Sequence, residues 1–161
     1  MSLMEVYFLK ILVMSDSHGN KENMLNAVDL ESPGMILHLG DNDRDCNDIE
    51  LAYPDIPLRS VRGNCDRISA ELDMDEFMIE NKRIFMTHGH LFSVKAGKAR
   101  IIDAAVNRGI DILLFGHTHL PHYSIINNLV VVNPGSIGLG SKSYAVLDIT
   151  DSEVLCELKR L

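Results

Sequence analysis

Five apolar runs in this chain each end in residues that bind metals. "ILVMSDSHGN" closes on Asp16 and His18, "MILHLGDND" on Asp41, "RSVRGNCD" on Asn64, "RIFMTHGH" on His88 and His90, and "ILLFGHTH" on His117 and His119. Singly, each is bland, since an aspartate can cap a helix, Gly-Asn can make a turn and a lone histidine can be a satisfied polar group. Five together are a pattern. Two carboxylates, several imidazoles and one amide oxygen form a mixed oxygen and nitrogen donor set, suited to Mn²⁺, Fe²⁺, Ni²⁺ or Zn²⁺ rather than to Ca²⁺ alone. Two such ions about 3.5–4 Å apart need a bridging anionic ligand, which an aspartate such as Asp41 can supply. The remaining histidines read differently: His38 lies inside an apolar run and is expected to be packed, and His122, after Pro121, is expected on a rim.

Residues so far apart in sequence meet only if the runs are strands with a common end. Leu9 to Met14, Met35 to Leu39, Leu58 to Val61 and Asp111 to Phe115 read as strands, and Glu76 to Glu80 with Arg83 to Thr87 as a hairpin about Asn81-Lys82. Helices are expected from a cap at Asn20 to about Glu31, over Cys46 to Leu51, and from Ala96 to Arg108 before Gly109. Strands at Tyr123–Ile126, Val130–Val132, Tyr144–Ile149 and Val154–Leu158 read as a closing β meander. The order predicts an α/β domain with a partly parallel, partly antiparallel sheet, whose parallel strands converge at their carboxyl ends on one crevice.

A chain of 161 residues, 46% hydrophobic, suits one domain over 1–161 with a sizeable core. A formal charge of −8 argues against an extended nucleic-acid surface. No apolar stretch reaches the roughly 20 residues of a membrane span and no signal-peptide pattern opens the chain, so no membrane partner and a cytoplasmic location are expected. Met1-Ser2-Leu3, ahead of Met4, carries no weight. Three cysteines without a C-x-x-C pair disfavour a disulfide scaffold or zinc ribbon. Exposed edges in a small sheet protein leave a homo-oligomer as an open expectation.

"D-S-H-G-N" at 16–20, "G-D" at 40–41, "G-N-C-D" at 63–66, "H-G-H" at 88–90 and "G-H-T-H-x-P" at 116–121 resemble, in order and spacing, the five blocks of calcineurin-like metallophosphoesterases. "NPGS" at 133–136 resembles a further feature of their small bacterial and archaeal phosphodiesterase branch. The resemblance implies a four-layer α/β/β/α sandwich of two mixed β-sheets flanked by helices, with no cap domain. It implies Asp16, His18 and His119 on one divalent ion, Asn64, His88 and His117 on a second, and Asp41 bridging, with Mn²⁺ the first choice of metal. It further implies hydrolysis of a small phosphoester, a phosphodiester above all, by direct attack of a metal-bridging hydroxide. Thr118 is expected to point away from its two histidine neighbours by strand alternation.

Cys65 departs from larger relatives, which carry histidine after the block's asparagine, a residue associated with protonating the leaving oxygen. A thiol is a poor replacement, with a reference pKa of about 8.5. His90 is then the first candidate acid and metal-bound water the second, while Asp66 either orients neighbouring groups or is a plain turn residue. A cysteine-phosphatase reading fails because Arg67 is two residues beyond Cys65 rather than closing a C-x-x-x-x-x-R loop. "GSIGLGSKS" at 135–143 lacks the register of a phosphate loop and reads as a turn between strands. Lys95, Lys98 and Arg100 are either a solvated helix face or an attractor for an anionic substrate. The rival function is a non-catalytic protein-interaction scaffold on the same fold, similar to the retromer subunit, but all seven ligand positions hold competent donors.

Overall fold

The computed structural model describes residues 8–161; Met1-Ser2-Leu3 and Met4 lie outside them. In chain order the elements begin with β1 (Leu9–Met14), α1 (Lys21–Glu31), β2 (Met35–His38), α2 (Cys46–Ala52), β3 (Leu58–Ser60), β4 (Met74–Ile79) and β5 (Lys82–Thr87). They continue with α3 (Ala99–Asn107), β6 (Ile112–Phe115), β7 (His122–Ile126), β8 (Leu129–Asn133), β9 (Ser143–Ile149) and β10 (Val154–Arg160). One five-stranded sheet runs β10-β9-β1-β2-β3 and the other β4-β5-β6-β8-β7. Pairing is parallel along β1-β2-β3 and β5-β6-β8 and antiparallel at the flanks.

Strand alternation generates the layers, because successive side chains leave opposite faces. Ile11 and Val13 of β1 meet Ile84, Met86, Ile112 and Leu114 of the other sheet in the central layer. Leu12 and Met14, between them, pack beneath Met24 and Val28 of α1 and Ile49 of α2. On the far side Phe85, Leu113 and Val131 take Ile101 and Ala105 of α3. The result is the expected four-layer α/β/β/α sandwich. Each such fully buried aliphatic side chain contributes roughly 1.5–3 kcal/mol. Among the described residues no helix is long and apolar enough to cross a membrane.

Local signals place the elements well. The side chain of Asn20 accepts a hydrogen bond from the Asn23 backbone N–H at 3.3 Å and caps α1 as expected. Two expectations need correction. The closing strands are not a meander: β7 and β8 belong to one sheet, whereas the chain crosses to the other sheet at 134–142 to form β9 and β10. The helix expected from Ala96 starts at Ala99, because Gly97 takes φ +156°, which a helix cannot include. Residues 94–98 are thereby released as a loop beside the carboxyl end of β6.

Candidate metal centre

The carboxyl ends of β1, β2, β5 and β6 and the segment after β3 open on one rim, where seven donor residues gather. In the first group, His18 Nε2 lies 3.3 Å from His119 Nε2, and His119 Nε2 lies 3.1 Å from Asp16 Oδ1. In the second, His88 Nε2 lies 3.1 Å from both Asn64 Oδ1 and His117 Nδ1, and 3.4 Å from Asp41 Oδ2. The same Asp41 Oδ2 is 3.9 Å from His18 Nε2, so it stands between the groups.

Whether these donors suit a cation can be tested from their own hydrogen bonding. His88 Nδ1 lies 2.8 Å from the Leu39 carbonyl oxygen, which can only accept, so Nδ1 carries the neutral ring's proton. Nε2 therefore offers a lone pair, aimed at the Asn64 and Asp41 oxygens, which offer lone pairs too. Asp16 Oδ1 is buried without any hydrogen-bond donor. Such convergence is unfavourable unless a positive charge sits among the atoms. Donors about 2.0–2.2 Å from a transition metal at tetrahedral or octahedral angles stand about 3.0–3.5 Å from each other, which matches the spacing found. The protonation equilibria agree. Burial opposes charge on His88, but Asp41 and Asp16 outweigh it and raise its pKa, so a proton is drawn where a cation belongs. Burial likewise pushes the Asp41 carboxyl up, yet His88 and the Cys65 backbone N–H hold it well below the usual carboxylate range. His117 is lowered to about 4, by burial first and then by His88 and Lys95.

The backbone around these donors is unusual. Asp16, His18, Asp41, His117 and His119 all have left-handed φ, between +47° and +68°, a conformation that costs non-glycine residues energy and clusters at functional sites. His117 and His119 follow the end of β6 rather than extending it. Thr118 does point elsewhere, but the left-handed turn achieves this and not strand alternation. The block glycines are required by space: a Cβ at Gly63 would stand 2.1 Å from Asp41 Oδ1, and one at Gly116 would stand 2.0 Å from Ser15 Oγ.

A layer of polar residues behind the donors holds these turns. Ser15 Oγ donates to Asp16 Oδ2 at 2.6 Å, and the His117 N–H reaches the same oxygen at 3.1 Å. Asp45 accepts from Ser17 Oγ at 2.7 Å and from the Gly19 N–H at 2.8 Å, bracketing His18. His38, wholly buried, sits 3.2 Å behind Ser17 Oγ, as a packed histidine should. Asn133 Nδ2 donates to Gly116 O and Thr118 Oγ1, and Ser136 Oγ to Asp16 O, which gives the "NPGS" segment a positioning task. Ser15, Ser17, Asp45 and Ser136 were not expected from sequence; only the polar ends of "NPGS" hinted at any of them.

Residues 9–152 match the family model of the calcineurin-like phosphoesterase superfamily domain. The chain belongs to that superfamily. A relative among calcineurin-like phosphoesterases, phosphodiesterase YfcE of Escherichia coli, is 29% identical over 87% of this chain and 88% of its own. The crystal structure of a Streptococcus pneumoniae protein, described as a conserved uncharacterized protein and predicted phosphoesterase, superposes with a TM-score of 0.79 at 25% identity, covering 96% of this chain and 90% of that one. Vacuolar Protein Sorting 29 from Cryptosporidium parvum shares the fold, with a TM-score of 0.76 over 96% of this chain and 98% of that one, at 15% identity. The superfamily is metal-dependent, and this chain carries the donor groups for it.

Asp66, Cys65 and His90 stand beside the donors of this calcineurin-like phosphoesterase. Asp66 accepts backbone N–H groups from Asp41, Asn42, Asp43 and Gly63 at 2.7–3.2 Å. Both its oxygens are engaged with backbone amides, so it orients its neighbours, one of the two readings its place after Cys65 offers: one carboxylate pins the Asp41 turn to the Asn64 turn. Cys65 is exposed beside His18 and Asp41, and its thiol pKa is raised by burial and then by Asp41, so it keeps its proton at neutral pH and is a poor acid. His90 Nδ1 is buried and unpartnered, and the ring centroid lies 5.5 Å from that of His88. Burial and then His88 lower its pKa, which counts against a resident general acid there.

Proposed function

We propose that this calcineurin-like phosphoesterase is a dinuclear-metal phosphodiesterase acting on small phosphodiesters in the cytoplasm. The observation that carries the reading is Asp41 Oδ2, standing between His18 on one side and His88 on the other at 3.9 and 3.4 Å. Asp16, His18 and His119 would hold one ion and Asn64, His88 and His117 the other, with Asp41 shared. Two divalent ions in those places, Mn²⁺ first and Fe²⁺, Ni²⁺ or Zn²⁺ as alternatives, supply positive charge for the phosphoryl oxygens and bring the pKa of a water toward neutrality. The chain contributes fixed positions. Leu39 O sets the His88 tautomer, Asp66 sets the Asp41 and Asn64 turns, and Asp45 sets the turn that carries His18. No nucleophilic side chain is needed for direct displacement at phosphorus. With Cys65 and His90 both unsuited to give a proton, diesters with good leaving groups are favoured over alkyl diesters. Three free cysteines, Cys46, Cys65 and Cys156, suit a reducing compartment.

Hydrolysis of bis(p-nitrophenyl) phosphate by metal-stripped protein, with and without Mn²⁺, tests the reading, with His117→Ala as control. Turnover is expected only with both the metal and His117. Mn²⁺ should also raise the melting temperature, because a ligand that binds only the native state stabilises it. Tight Mn²⁺ binding without turnover would sink the phosphodiesterase reading.

A further inference from the structure

A cleft of about 500 Å³ is bounded by the loop at 94–98 and the segment at 118–122. It adjoins the metal-binding turn along the chain: Thr118, one of its walls, is flanked by His117 and His119, while its own side chain turns toward Asn133. Phe115, Leu120 and Pro121 make one side apolar, and Lys95 and Lys98 stand at the loop side. The chain has 23 acidic residues against 15 Lys and Arg, yet no Asp or Glu lines this cleft. Neither ammonium is paired with a carboxylate among the described residues, where Lys10, Lys21 and Lys159 are. Lys98 lies near enough to His122, on the facing segment, for its charge to disfavour protonation of that ring, after burial. Thr118 Oγ1 already accepts from Asn133 Nδ2 and the Leu120 N–H, which leaves its hydroxyl proton free to be donated.

A second cleft, about 290 Å³ beside Cys65, shows the contrast. Its Arg44 and Arg67 share the lining with Asp43 and Asp66, and Arg44 donates to the Ile68 carbonyl oxygen at 3.4 Å. Charge there is balanced within the wall. In the larger cleft two uncompensated cations face an apolar side, which is how a pocket receives an organic group that carries its own anion.

We propose that the cleft between 94–98 and 118–122 binds one organic arm of the substrate, and that Lys95 and Lys98 select arms bearing a second phosphate. The proposal rests on the phosphodiesterase reading and names its substrate class: diesters whose arm is a phosphorylated, partly apolar group of nucleoside size. Lysine suits the task as a mobile point charge for phosphate.

The test is calorimetric titration of the Mn²⁺-loaded protein with thymidine 3′,5′-bisphosphate and with thymidine 5′-monophosphate, which differ by the second phosphate alone. Wild type should bind the bisphosphate about tenfold more tightly or better, a difference of about 1.4 kcal/mol. Lys95→Gln/Lys98→Gln should bring the ratio below about threefold, while Lys82→Gln, a lysine outside the cleft, should keep it. A wild-type ratio near one, a ratio retained in the double variant, or an equal collapse in Lys82→Gln overturns the proposal. Aryl diester turnover is measured separately. Turnover without the affinity ratio removes only the pocket assignment, and the ratio without turnover removes the reaction it was meant to serve.

Discussion

The two donor groups are built to different standards. In the second, His88 is fully buried, its Nδ1 is tied to Leu39 O, and the Asp41 and Asn64 turns hang from one carboxylate, Asp66. In the first, the His18 and His119 side chains are 23% and 37% exposed, and their backbone turns are held while their rings are not. Orientation fixed before binding costs nothing at the moment of binding. The second group is therefore expected to be the tighter site and the first the adjustable one.

Removing what the groups share should have the largest effect. Asp41→Ala takes a ligand from both, and loss of metal charge worth several kcal/mol lowers aryl diester turnover by about 10³-fold or more. Turnover surviving within about tenfold would show that Asp41 does not link the groups. Splitting the groups comes next. In Mn²⁺ titrations of the stripped protein, two classes of site are expected, with the tighter abolished by His88→Ala and the weaker by His119→Ala, and a gap between classes of about 10–100-fold. The reverse assignment, or two equal classes, would refute the comparison.

The donors themselves were legible because each ends an apolar run and differs in type from ordinary turn residues in the same place. Most of the supporting architecture was legible for similar local reasons, as at β1, predicted to the residue, and at the Asn20 cap. What was illegible depends on long-range closure. Ser17 meets Asp45 across 28 residues, and Ser136 meets Asp16 across 120; a lone serine in a turn carries no sign of its partner. The crossing of 134–142 between sheets was hidden for the same reason, since four short strands in succession fit a meander as well as two hairpins in separate sheets. The left-handed donors were equally hidden, because aspartate and histidine tolerate that region without announcing it.

Two carboxylates carry the difference between the groups into stability. Asp66 accepts from four backbone amides on the second side, and Asp45 from one hydroxyl and one amide on the first. At roughly 1.5 kcal/mol or more for each bond to a charged group, discounted for shared geometry, Asp66→Ala should cost about 4 kcal/mol and Asp45→Ala about half that. Urea midpoints of the metal-free proteins check this. Equal losses would mean that the two sides are pinned alike. Asp66→Asn, which keeps one accepting oxygen, should fall between wild type and the alanine variant.

An effect confined to acid pH concerns His38, behind the adjustable group. Burial, only partly offset by Asp16, Asp66 and Asp45, lowers its pKa from 6.5 to about 4, so the folded protein keeps it neutral while the unfolded chain takes up a proton below pH 6.5. The unfolded state then binds more protons than the folded one, and stability falls as pH drops. Above pH 6.5 the contribution is complete. It drains away between 6.5 and about 4, at up to about 1.4 kcal/mol per pH unit and about 3 kcal/mol in all. His117 shares the direction, but it lies nearer solvent and contributes less. In the metal-free protein, His38→Gln should flatten the stability profile across that window, because glutamine keeps hydrogen-bonding groups for Ser17 and Gly40 but takes up no proton. A profile as steep as wild type would mean that the acid sensitivity arises at the donors themselves, and that the layer behind the first group is as indifferent to protons as the one behind the second.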